Sequence, residues 1–121
     1  MEHEDLTEKI IGVFYDVYNT LGYRFLESVY KNSMLVALRG ISLDCKTEWP
    51  ITVRFQGEVV GEFRADILVE DKVILELKTA KSIEKAHVAQ TLNYLKATDV
   101  NVGLLLIFGP KPEFERLFFD R

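Results

Sequence analysis

The residues able to do chemistry gather in the middle of this 121-residue chain. Phe63-Arg64-Ala65-Asp66-Ile67-Leu68-Val69 is followed, after Glu70-Asp71-Lys72, by Val73-Ile74-Leu75-Glu76-Leu77-Lys78-Thr79. Both runs read as strands, whose side chains alternate between faces. Ile74, Glu76 and Lys78 therefore share one face, and Val73, Leu75 and Leu77 the other. The second run is so rich in Val, Ile and Leu that it reads as a strand buried on both sides. A three-residue loop pairs Val69 with Val73 and sets Asp66 opposite Glu76. Two carboxylates about 5 Å apart at an effective dielectric of about 20 repel by about 3 kcal/mol. Directly opposed like charges also weaken a sheet. A cation between them removes the conflict, and an all-oxygen ligand set suits Mg²⁺ or Mn²⁺ better than zinc. Lys78 then adds a point charge beside the same site.

The flanking elements must hold this pair in place. Leu6, Ile10, Val13, Phe14, Val17, Tyr18 and Leu21 recur at helical spacing, with Asp5 and Glu8 as a capping pair and Gly22 as the stop. A second helix runs from about Phe25 to Leu38, closed by Gly40. In it Glu27, Tyr30, Lys31 and Met34 fall at i, i+3, i+4 and i+7, with Glu27 at the margin of the apolar stripe. A surface Glu27–Lys31 ion pair also accounts for that spacing. The period then changes to two. Ile41 to Glu48 reads as a strand interrupted by Trp49-Pro50, and Ile51, Val53 and Phe55 alternate up to a Gln56-Gly57 turn. Val59 to Val69 returns, and Val73 to Thr79 follows. Ser82 is placed to cap a third helix from Ile83 to about Ala97. On it His87, Gln90, Thr91 and Tyr94 share a face, beside Val88, Leu92 and Leu95. Val102 to Phe108, a Gly109-Pro110 break and a strand around Phe114 to Phe119 complete the chain. The expected order is ααββββαββ, an α/β fold with helices covering a mixed sheet.

Composition bounds the function. The length suits one domain spanning residues 1–121. An apolar fraction of 48% with 28% charged residues is that of a globular protein rather than a disordered chain. The net charge of -4 excludes a protein that coats nucleic acid by bulk positive charge. Cys45, the single cysteine, excludes an internal disulfide framework and a Cys-rich zinc site, and reads as a core residue. The acidic start of the chain does not read as a leader. No apolar run approaches the roughly 20 residues that cross a bilayer, so the expected setting is cytoplasmic with no membrane partner. Between Lys72 and Lys96, Lys72, Lys78, Lys81, Lys85 and Lys96 outnumber Glu76 and Glu84, a local basic patch beside the opposed acids.

Asp66, nine further residues and then Glu76-Leu77-Lys78 resembles the core of the PD-(D/E)XK nuclease superfamily, with Ala65 where the pattern's name has proline. Leu21-Gly22-Tyr23-Arg24-Phe25-Leu26-Glu27-Ser28-Val29-Tyr30 resembles the signature of its GxxExxY branch. Glu27 and Tyr30 match, and Arg24 stands where the leading glycine would be. His87, Gln90, Asn93, Tyr94 and Leu95-Lys96-Ala97-Thr98 are similar to that branch as well. The resemblance implies a restriction-endonuclease-like core. It implies that Asp66, Glu76 and the backbone carbonyl of Leu77 hold Mg²⁺ or Mn²⁺, with Glu27 reaching it directly or through water. Lys78 would orient or deprotonate the attacking water, and Gln90 would position it or a phosphate. Tyr94, Lys81, Lys85 and Tyr30 would meet the substrate, nucleic acid and DNA before RNA, and the compact members of the superfamily suggest a homodimer. Two other classes remain open: a nuclease-fold module that binds without cleaving, and a structural protein whose carboxylates form a core network.

Overall fold

The computed structural model describes residues 2–121. Helices α1 (Glu4–Leu21) and α2 (Glu27–Gly40) lead into strands β1 (Cys45–Phe55), β2 (Glu58–Val69) and β3 (Val73–Lys78), then helix α3 (Lys85–Lys96) and strands β4 (Val102–Phe108) and β5 (Pro112–Phe118). The five strands lie in one sheet in sequence order. Only β3 and β4 are parallel, joined by α3 as the crossover. The other neighbours are antiparallel.

Each sheet face has its own core. Ile10, Phe14, Met34 and Leu38 of α1 and α2 pack on Val73, Leu75, Leu104 and Leu106. On the opposite face Tyr94 and Leu95 of α3 pack on Ile51, Ala65, Leu68 and Ile74. The central strands β3 and β4 are therefore covered on both sides, which explains their nearly unbroken apolar sequence.

Several local expectations hold. Gly22 ends α1 with φ 73, and its N–H donates to the Tyr18 carbonyl. Gln56-Gly57 closes a two-residue hairpin in which Phe55 pairs with Glu58. Val69 pairs with Val73, as the three-residue loop requires.

Three expectations are corrected. The two strands expected on either side of Trp49-Pro50 are one, β1, so the order is ααβββαββ. β1 is an edge strand, and an edge tolerates a proline whose nitrogen faces away from its only neighbour. At the start of α1 neither Asp5 nor Glu8 caps. The helix begins after His3, and the Thr7 hydroxyl donates to the Glu4 carbonyl. α3 begins two residues later than Ser82 predicts, with Glu84 as N-cap. Glu84 and His87 cap each other reciprocally, the Glu84 N–H donating to His87 Nδ1.

Gly109, at the end of β4, is a point of close approach. A Cβ there would stand 2.1 Å from the Ala80 carbonyl oxygen, in the segment that follows β3. Gly109→Ala is expected to destabilise the protein by about 1–3 kcal/mol, read as a lower urea midpoint, because backbone must move to admit the methyl group.

Candidate active site

The register places Asp66 opposite Glu76, but the backbone ladder between β2 and β3 ends one step earlier, at Ile67 and Leu75. Beyond it the two acidic side chains take over the pairing. The Asp66 N–H donates to Glu76 Oε1 at 3.0 Å, and the Leu77 N–H donates to Asp66 Oδ2 at 2.8 Å. The strands splay at this point, and each acid reaches across to the other strand. The cause lies in β2 and its partner. Ile67 and Val69 face α1 and α2, whereas Ala65, of the same parity, joins the α3 core. The alternation slips at Asp66, beside Glu48 of β1, whose φ of 50 marks the same irregularity.

Electrostatics sharpen the picture. Glu76 is 2% exposed. Burial, and then the negative charge of Asp66, push its carboxyl up to about 8, against the pull of the Asp66 N–H and of Lys78. The Glu76 carboxyl therefore retains a proton near neutrality. Lys78 follows on the same face, half-buried.

The helices bring further residues to the fork. Glu27 is the first residue of α2, where the helix dipole favours its charge, and its Oε1 accepts the Thr79 N–H at 3.2 Å, just past the end of β3. Lys31 pairs with Glu48, so the surface pair between Glu27 and Lys31 does not form. On α3 Tyr94 is nearly buried. Burial, and then the charges of Glu76 and Asp66, push its phenol up, against a smaller pull from the neighbouring Gln90 side chain. Lys81, in the loop before α3, and Lys85, its first residue, are exposed.

Tyr30 has a different place from the one expected. It is fully buried and stacks on Phe108 with centroids 4.1 Å apart. Its hydroxyl donates to the Gly22 carbonyl and accepts the Phe25 N–H. It fastens the α1–α2 loop from below and offers no surface to a substrate. Tyr30→Phe is expected to cost about 1–3 kcal/mol, measured by chemical denaturation, because both loop groups lose a buried partner.

The donor set suits a small hard cation. Among the described residues no three Asp, Glu, His or Cys side chains gather closely enough to hold a metal. Asp66 and Glu76, however, each keep one oxygen free of main-chain donors. The N–H and C=O of a strand residue point to the same side, so the Leu77 carbonyl shares the fork. Mg²⁺ retains several waters and needs only one or two carboxylates. Glu27, anchored on the Thr79 N–H, lies beyond the pair at the end of β3.

One residue escaped the sequence reading. Glu113 of β5 lines up with Ile107 and, through it, with Lys78. Its Oε2 is the one buried side-chain oxygen without a partner among the described residues. Nothing local signals this, since the row exists only once three strands are assembled.

A mixed sheet with two helices on one face and a crossover helix on the other, with opposed acids and a lysine where two strands part, is a restriction-endonuclease-like fold. The chain is similar to the crystal structure of SSO0001, with a TM-score of 0.60 at 17% identity over 98% of this chain. It spans 61% of the length of that protein. The family model of the PD-(D/E)XK nuclease superfamily matches residues 4–117, and the chain belongs to that superfamily. Among curated proteins no significant match is found.

Proposed function

We propose that the protein is a metal-dependent nuclease that hydrolyses phosphodiester bonds, acting on DNA before RNA. The observation that carries this is the splayed fork, where a buried Glu76 and Asp66 face each other with Lys78 alongside. A binding module has no use for all three together. Asp66, Glu76 and the Leu77 carbonyl would hold Mg²⁺ or Mn²⁺, which supplies an acidified water and offsets phosphate charge. Lys78 holds the attacking water by hydrogen bonding and stabilises charge as it grows on the phosphate oxygens. Glu27 orders solvent at the far side of the fork. Gln90, supported by Tyr94, positions the water or a phosphate oxygen, while Lys81 and Lys85 draw the strand in.

Membership of the GxxExxY branch is part of the same reading. Tyr30 pins the loop ahead of Glu27, a physical reason for a Tyr three residues after a Glu. A homodimer would set two small basic patches side by side, which sedimentation in the presence of substrate would reveal.

The test is a cleavage panel of single-stranded, duplex and branched DNA and of RNA, each with Mn²⁺. At least one substrate is expected to be cut, and Glu76→Ala and Lys78→Ala to lose about 100-fold or more of the rate. Cleavage that survives in both variants, or binding without cleavage in the native protein, would overturn the reading.

A further inference from the structure

The loop between α1 and α2 combines features that the catalytic reading leaves unused. Tyr23, Phe25 and Leu26 are 40%, 49% and 75% exposed, an unusual row of apolar side chains in water. Their backbone is nevertheless fixed, because the buried Tyr30 hydroxyl holds both the Gly22 carbonyl and the Phe25 N–H. Arg24, between the two aromatics, has φ 88, a conformation that glycine adopts freely and arginine does not. The chain keeps a long cationic side chain at a position whose backbone favours having none. Residues held in such conformations cluster at active sites and ligand clamps. The Arg24 guanidinium lies 5.6 Å over the Tyr23 ring, so charge and aromatic face are presented together.

The position of the loop identifies its occupant. Glu27 begins two residues after Phe25 and binds the Thr79 N–H, so the loop stands beside the Thr79–Lys81 segment and the end of β3. A strand reaching Lys78 and Lys81 passes this edge. Rigid exposed aromatic rings next to a cation match unpaired nucleotides, whose bases stack on any aromatic face and whose phosphates carry the negative charge that Arg24 can meet. A paired duplex hides those base faces.

We infer that Tyr23, Arg24 and Phe25 form a platform that stacks an unpaired base of the nucleic-acid substrate and binds its phosphate, which makes the site selective for single-stranded or frayed ends. This rests on the nuclease reading above. Phe25 also packs edge-on against Tyr30, so Tyr23 and Arg24 are the cleaner positions to change.

The experiment is fluorescence anisotropy with a labelled oligothymidylate of about 20 nucleotides and a blunt duplex of the same length, with Ca²⁺ replacing Mg²⁺ and several salt concentrations. The native protein is expected to prefer the single strand. Arg24→Gly is expected to keep or raise the melting temperature, because the strain is relieved, yet to weaken single-strand binding and lower the salt slope by about 0.7. Tyr23→Ala is expected to weaken it about tenfold with the slope unchanged. Full affinity in either folded variant, or an equal loss on the duplex, would overturn the platform. If Lys78→Ala still abolishes cleavage in that case, the nuclease reading stands without it. If the native protein binds neither oligonucleotide, the platform falls, and the cleavage panel decides the nuclease reading separately.

Discussion

Glu76→Gln is expected to stabilise the metal-free protein at pH 9 by a few kcal/mol while abolishing turnover. Glutamine keeps the shape and the oxygen that accepts the Asp66 N–H, but cannot ionise. In the native fold the Glu76 carboxyl is raised from 4.5 to about 8. Between those values the folded chain holds a proton that the unfolded chain releases, so stability falls as pH rises through the window and levels off above it. Below about 4.5 both states are protonated and the group contributes nothing. At about 1.4 kcal/mol per pH unit the ceiling is about 5 kcal/mol, which structural relaxation and water reduce. Urea titrations from pH 4 to 9 should show a declining curve for the native chain and a flatter one for Glu76→Gln. A divalent ion favours the ionised form, so its affinity should climb with pH across the same window. Parallel curves for native and variant would contradict the buried, charge-opposed placement of Glu76.

Asp66→Ala is expected to remove the thermal response to Mg²⁺ and Mn²⁺ altogether. In the native protein an ion at about 100 times its dissociation constant should add about 2.7 kcal/mol of stability, read as a rise in melting temperature. The variant would lose half of the proposed ligand pair. It also strands the Leu77 N–H, at a cost of about 1–3 kcal/mol without metal. The negative charge of Asp66 helps to raise the Glu76 carboxyl, so the pH dependence should shrink in the same variant. Asp66→Asn separates the effects, since its amide oxygen can still accept the Leu77 N–H. A native chain whose melting temperature ignores both ions would remove the metal site.

What the sequence made legible depended on the range of the forces involved. Alternation in Val73 to Lys78 and a three-residue loop suffice to place Asp66 opposite Glu76, because register follows from turn length. The stop at Gly22 and the Gln56-Gly57 turn are equally local. Trp49-Pro50 looked like a break because a proline in a strand is tolerated only at an edge, and edge position is a property of the assembled sheet. The Glu84–His87 cap was hidden by the better-known preference for Ser82. Tyr30 shared the face of Glu27, which suggested a shared surface. Its burial is set by Phe108, almost eighty residues away in sequence, and only packing reveals that. Glu113 depends on three strands at once.

The exchange of ladder bonds at the fork has an evolutionary consequence. Asp66 and Glu76 serve as rungs and, in the proposed function, as ligands, so losing either would harm the fold as well as the chemistry. Lys78 carries no such second duty, since no hydrogen bond or ion pair of the described fold depends on its amine. A descendant released from selection for cleavage would therefore shed Lys78 first and keep the two acids as fossils. In such descendants the lysine, more than the carboxylates, separates a working enzyme from a silent copy.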